Sequence, residues 1–280
     1  MKTIIHATDF SENAIAALKY AYELRLKLKA NLWVIHICNF STLSSDLREP
    51  FLLSIKESFK QKNLKLKEFC TTHLGAEINC DNVKIEVIEN TSVVAGIISK
   101  ANELEASLII TGMKGKGAVA AFFMGSTTKQ LIKKSPCPVL AIPENAATEK
   151  LKSIIYASDF EKEDISAISK LSKMAEVFDA KILIVHISTE KEYKVEEKME
   201  WFKELLNEKV GYDTIEYYLF YSHDIYTILN LFISEVEADM VAMLEREKKG
   251  FLKKIFHTDL VKKMETYGQV PLLSFNEKNY

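Results

Sequence analysis

Gly112, Gly115, Gly125 and Ser126 stand in the spacing G-x2-G-x9-G-S directly behind the apolar run Ser107-Leu-Ile-Ile-Thr111. Four of the chain's nine glycines, these three and Gly117, therefore fall within fourteen residues that lead into a helix-like run, Ser126 to Ser135. Glycine in such a loop lets backbone N–H groups approach an anion with no Cβ in the way. A helix starting just beyond adds its own unpaired N–H groups and the positive end of its dipole, so the chemistry implied is the binding of a phosphate. Ser126 is expected to cap that helix, while Thr127 and Thr128 present further N–H groups and a hydroxyl to the same anion. Lys114 and Lys116 either offset phosphate charge or are simply solvated. The commoner phosphate loops are excluded: no G-x4-G-K-[ST] can be read, and Gly115-Lys-Gly117 lacks the third glycine of G-x-G-x-x-G. A loop that merely needs positive φ angles is the alternative.

A second group of polar residues surrounds Asp9, in Thr8-Asp-Phe-Ser11, where the carboxylate either caps the helix that follows or accepts hydrogen bonds from a ligand. His36 and His186 occupy matched positions in two strands, which points to a shared packing role. His6, His73, His223 and His257 show no metal-ligand spacing and are assigned no role. The four cysteines, Cys38, Cys70, Cys80 and Cys137, lack C-x2-C spacing and read as reduced, small apolar residues.

The elements that must position these groups alternate. Apolar runs at Thr3 to Thr8, Asn31 to Cys38, Val83 to Glu89, Ser107 to Thr111 and Val139 to Ile142 predict strands. Helices are predicted at Glu12 to Lys29, about Leu53 to Leu74, Val93 to Glu103 and Ser126 to Lys134. Such alternation implies an α/β fold, a doubly wound parallel sheet covered on both faces. The chain also repeats itself. An offset of 150 places Thr3 to Ile37 on Ser153 to Ile187, and an offset of 133 places Leu108 to Glu144 on Val241 to Glu277. The second copy is shorter, by the difference of the two offsets, between its second and fourth strands. Two tandem domains, 1–146 and 147–280, are expected. In the second copy Glu245, Lys248, Thr258 and Asp259 stand where the first has Gly112, Gly115, Gly125 and Ser126, and their acids and bulk oppose a phosphate.

The glycine spacing, the opening Ile4-Ile-His-Ala-Thr-Asp-Phe-Ser-Glu-Asn-Ala-Ile-Ala-Ala-Leu18 and the segment Ser135-Pro-Cys-Pro-Val-Leu-Ala-Ile-Pro143 together resemble the universal stress protein family. The resemblance implies a Rossmann-like sheet with strand order 3-2-1-4-5 and a switch point between strands 1 and 4. It also implies a site for ATP, or AMP or ADP, with or without Mg2+. Carried onto this sequence, the site comprises Asp9 toward the adenosine, Ile37 for its backbone contact with adenine, and Thr111, Gly112, Lys114, Gly115, Gly125, Ser126, Thr127 and Thr128 around the phosphates.

With 48% hydrophobic residues, 27% charged residues and a net charge of −2, the chain has no global field to attract nucleic acid or anionic lipid. No apolar run approaches the length of a membrane span, and the N-terminus enters a strand pattern without a leader, so a cytoplasmic protein is expected. The function expected is a nucleotide-binding regulatory protein of the stress response, with one site in the first domain. A slow ATPase or phosphotransferase using the same pocket, and a nucleotide-free scaffold, are the alternatives; no general base or Walker-type Mg2+ ligand set is identified. The two halves are expected to pair as a pseudo-dimer through their fifth strands, Val139 to Ile142 and Pro271 to Phe275, with homodimerisation a further option.

Overall fold

Runs such as Leu108-Ile-Ile are apolar at every position because a parallel strand between two helix layers is buried on both faces. Ile4, Ile5, Leu32, Ile35, Leu108, Ile109 and Ile110 are all fully buried. The computed structural model describes residues 3–39, 49–75, 78, 81–113, 124–146, 151–188, 194–246 and 270–279, with backbone alone over 49–55. They form two compact units, residues 3–146 and 151–279 in their described parts.

In the first unit β1 (Thr3–Ala7), α1 (Glu12–Leu28), β2 (Asn31–Cys38), α2 (Glu49–Leu74), β3 (Val83–Glu89), α3 (Val93–Glu103), β4 (Leu108–Gly112), α4 (Ser126–Lys134) and β5 (Val139–Ile142) follow one another. The sheet order is β3-β2-β1-β4-β5 and every pairing is parallel. This is the 3-2-1-4-5 order expected. Helix α2 begins at Glu49 rather than near Leu53, with Pro50 in its first turn, where a missing N–H costs nothing and the fixed φ suits a helix.

The second unit repeats the plan with β6 (Ser153–Ala157), α5 (Lys162–Phe178), β7 (Lys181–Ser188), α6 (Val195–Lys209), β8 (Ile215–Tyr221), α7 (Ile225–Glu235), β9 (Met240–Glu245) and β10 (Leu272–Asn276). Its order is β8-β7-β6-β9-β10, again parallel throughout. The shortening read from the two offsets falls largely on one helix: α2 has 26 residues and its counterpart α6 has 15. The first helices of both units end alike, with Lys29 and Asp179 in the left-handed region at φ 51° and 52°. That conformation turns their N–H groups back onto the last carbonyls. Cys38, Cys70 and Cys137 are buried and not disulfide-bonded. Among the described residues no helix is long and apolar enough to cross a membrane.

Candidate functional site

In an open parallel sheet, ligands bind beyond the carboxyl ends of the strands where the strand order reverses. Strands β1 and β4 pair with Ile4 opposite Leu108 and His6 opposite Ile110, which brings the residues after Ala7 beside Thr111 and Gly112. A cleft of about 310 Å³ opens there, at the lower end of the size range of small-ligand sites. Its lining includes the apolar Ile35 and Ile37 of β2 and Val93 and Ile97 of α3, Thr111 and Gly112 at the end of β4, Gly125, Ser126, Thr127 and Thr128 at the start of α4, and Asp9 after β1. Eight of the ten residues singled out from the sequence therefore line one cleft. The other two, Lys114 and Gly115, lie outside the described residues.

The turn after β1 is built by its own side chains. Phe10 sits at φ 65°, a region costly for a residue with a Cβ, and its N–H donates to Thr8 Oγ1 at 3.0 Å. Asp9 Oδ1 accepts both the Ser11 N–H at 3.1 Å and the Ser11 hydroxyl at 2.6 Å. Ser11 is the N-cap of α1, its Oγ accepting the Ala14 N–H at 3.4 Å. Asp9 therefore does not cap the helix itself: it lies two residues too early, and instead orients the residue that does. The Phe10 ring packs on His36, centroids 4.3 Å apart, and His36 Nδ1 bonds the Thr8 carbonyl at 2.9 Å. Burial holds the His36 imidazole below its ordinary range, with Lys62 and Lys65 pushing the same way against the Thr8 carbonyl. The second unit copies this arrangement: Phe160 at φ 52°, its N–H on Ser158 Oγ at 2.8 Å, and His186 Nδ1 on the Ser158 carbonyl at 2.7 Å. Both histidines thus fix the strand-to-helix turn, the shared packing role expected of them.

The glycines have different reasons. Neither Gly112 nor Gly125 has a positive φ, so neither is demanded by backbone conformation. A Cβ on Gly112 would lie 2.6 Å from the Asn13 carbonyl oxygen and 2.7 Å from its carbon. Glycine there admits the first turn of α1 against the end of β4. Gly112→Ala is accordingly expected to destabilise the first unit by about 1–3 kcal/mol, the usual cost of overpacking a rigid contact. Urea denaturation checks it, and a loss under about 0.5 kcal/mol would show that α1 yields freely.

Gly125, at φ −56° and ψ 156°, is the N-cap of α4 and supplies no side-chain cap; Ser126 is the first helical residue. This corrects the expectation that Ser126 caps the helix. The Lys129 N–H already bonds the Gly125 carbonyl at 3.0 Å, so the helix begins one residue earlier than a serine cap would allow. Among the described residues no side-chain cap bonds the first N–H groups of α4, and Gly125, Ser126 and Thr127 line the cleft. Thr128 is buried, its Oγ1 3.3 Å from Thr111 Oγ1, which ties the helix start to the end of β4.

Beneath the cleft, His6 on β1 is fully buried. Its Nδ1 faces the Ile110 carbonyl at 3.2 Å while Nε2 has no aligned hydrogen bond. Burial pushes this imidazole down to about 4, outweighing the Ile110 carbonyl and Asp9. Between pH 6.5 and about 4 the unfolded chain binds a proton that the folded chain does not. The stabilisation is therefore fully present above pH 6.5 and falls away as pH drops through about 4, by about 3 kcal/mol in all. Urea midpoints of the native chain and of His6→Leu across that range check this; equal slopes would contradict it.

The second unit presents a different interior at the same place. Asp164, fully buried, accepts the Tyr156 hydroxyl on Oδ1 at 2.9 Å, and the Ser158 hydroxyl at 2.8 Å and the Glu161 N–H at 3.2 Å on Oδ2. Arg246 Nη2 lies 2.9 Å from Asp164 Oδ1 in ion-pair contact, though not aligned as a hydrogen bond, and Nη1 lies 3.5 Å from Asp159 Oδ2. Burial pulls the Arg246 guanidinium down, but the Asp164 and Asp159 carboxylates outweigh it and raise it overall. Glu245, the counterpart of Gly112, ends β9 and is buried. Lys248, Thr258 and Asp259 lie outside the described residues. Arg246 and Asp164 were not singled out from the sequence. The available signal was the repeat itself, which sets them against Met113 and Ala14.

A family model, described as the universal stress protein family, matches residues 1–143. A universal stress protein of Thermus aquaticus is 29% identical over 141 residues, covering 50% of this chain and 98% of that protein. Another, from Methanocaldococcus jannaschii, is 26% identical over 144 residues, covering 50% and 81%. Among solved structures, a universal stress protein from Archaeoglobus fulgidus aligns over 98% of both chains with a TM-score of 0.69 and 17% identity, a likeness of fold. A universal stress protein solved in complex with cAMP aligns over 50% of this chain and 96% of its own, with a TM-score of 0.39 and 20% identity. The model match covers more than half of the chain, and with the fold and cleft described above the chain belongs to the universal stress protein family.

Proposed function

We propose that the first unit binds one adenine nucleotide, ATP or its AMP or ADP forms, in the cleft between β1 and β4, and that the chain is a nucleotide-responsive regulatory protein of the stress response. The observation that carries this reading is the start of α4. Gly125 supplies no side-chain cap there, and Gly125, Ser126 and Thr127 line a cleft that the apolar Ile35, Ile37, Val93 and Ile97 line as well, an arrangement suited to a ligand with an anionic end and a flat apolar end. Gly125, Ser126, Thr127 and Thr128 would hold the phosphates, Ile35, Ile37, Val93 and Ile97 the base, and Asp9 the sugar hydroxyls. Where Mg2+ accompanies the nucleotide it would add charge neutralisation at the phosphates.

Binding is favoured over turnover because Asp9, the carboxylate after β1, is held as an acceptor of two Ser11 donors and is not poised as a free base. One nucleotide per chain is expected, since the second unit lines the matched crevice with acids. Isothermal titration of ATP into the full chain should saturate at a single equivalent. Bound nucleotide recovered after prolonged incubation should still be largely triphosphate. Absence of any saturable adenine-nucleotide binding would favour the scaffold reading, and rapid conversion to diphosphate the enzymatic one.

A further inference from the structure

Five positions that line the first unit's cleft, Thr8, Asp9, Ala14, Gly112 and Met113, correspond by the two repeat offsets to Ser158, Asp159, Asp164, Glu245 and Arg246. In the first unit these positions border open space. In the second, four of them meet side chain to side chain: Ser158 bonds Asp164, and Arg246 reaches both Asp164 and Asp159 from the end of β9. All four side chains are largely withdrawn from water, Asp164 at 0% and Arg246 at 9% exposure. Asp159 and Asp164 thus set carboxylates where a phosphate would need donors.

We propose that the carboxyl-end crevice of the second unit is a guanidinium-binding site and that Arg246 is its resident ligand, so that this unit is held filled by its own chain. The planar fork of a guanidinium can face two carboxylates at once, as Nη1 and Nη2 do here toward Asp159 and Asp164, whereas an ammonium offers a single point of charge. Asp164 is a built anchor for it, already oriented by a tyrosine hydroxyl, a serine hydroxyl and a backbone N–H. The geometry of the second unit carries this by itself, whatever the first unit binds.

The test is Arg246→Ala in the full chain, followed by thermal unfolding with millimolar methylguanidinium. The variant should melt lower than the native chain. Methylguanidinium should then raise its Tm saturably, recovering half or more of the loss, although guanidinium salts as a class lower protein stability. The native chain and Arg246→Ala combined with Asp164→Asn should show no such rise. Equal recovery by methylammonium at matched ionic strength, or no recovery by either, would overturn the assignment. So would a second equivalent of ATP bound by Arg246→Ala, because the crevice would then be a masked phosphate site. Should Arg246→Ala not fold unaided, refolding from urea with methylguanidinium present decides: a recovered folded signal supports the site and continued failure overturns it.

Discussion

Gly125→Val is expected to abolish measurable ATP binding while the chain remains folded. The backbone at this position, φ −56° and ψ 156°, lies in a region open to a β-branched residue, so the substitution imposes no conformational strain. What it changes is the approach to the start of α4, where a branched side chain would stand among the N–H groups that face the cleft. Charge-assisted hydrogen bonds contribute roughly 1.5–3 kcal/mol each, and losing two of them lowers affinity by about a hundredfold or more. Calorimetry with ATP, beside circular dichroism to establish folding, measures both halves of the expectation. Near-native affinity in a folded variant would remove the phosphate from this helix. Ser126→Ala should be mild in comparison: as the first helical residue, exposed and not the cap, it contributes a hydroxyl while the backbone donors stay in place.

Asp164→Ala is expected to cost the second unit about 3–5 kcal/mol, the penalty typical of leaving a buried partner charge uncompensated. Among the described residues Arg246 would keep the longer contact to Asp159, and the Tyr156 and Ser158 hydroxyls would lose the Asp164 carboxylate as acceptor. Because two compact units need not unfold together, the readout is differential scanning calorimetry resolved into its transitions. One transition should move and the other hold. A shift of either transition corresponding to less than about 1 kcal/mol would show that desolvation already cancels the attraction within the cluster.

The sheet was legible in the sequence to a residue or two, because parallel strands buried on both faces leave uninterrupted apolar runs, as in Leu108-Ile-Ile and Ile154-Ile. The glycine spacing likewise pointed to the helix start at α4. The roles within it were less legible, since they depend on which atom faces which. Gly112 drew notice as a phosphate glycine, yet its Cβ is forbidden by the Asn13 carbonyl, a contact between segments far apart in the chain. Ser126 was read as a cap and Asp9 as either a cap or a ligand acceptor, and in each case a neighbour, Gly125 or Ser11, holds the cap position. Capping is decided by backbone angles that a residue type only biases.

Amino-acid order alone determined the two copies of an α/β domain, their strands and helices, and the loss of the glycines and of the serine from the second copy. Tertiary structure decided what took their place. Strands β6 and β9 lie side by side only in the folded sheet, and it is this adjacency that sets Arg246 against Asp159 and Asp164, which come much earlier in the chain. Electrostatic attraction falls off with distance and grows as water is excluded, so the repeat marks the positions but the pairing between them exists only once the fold has closed around it.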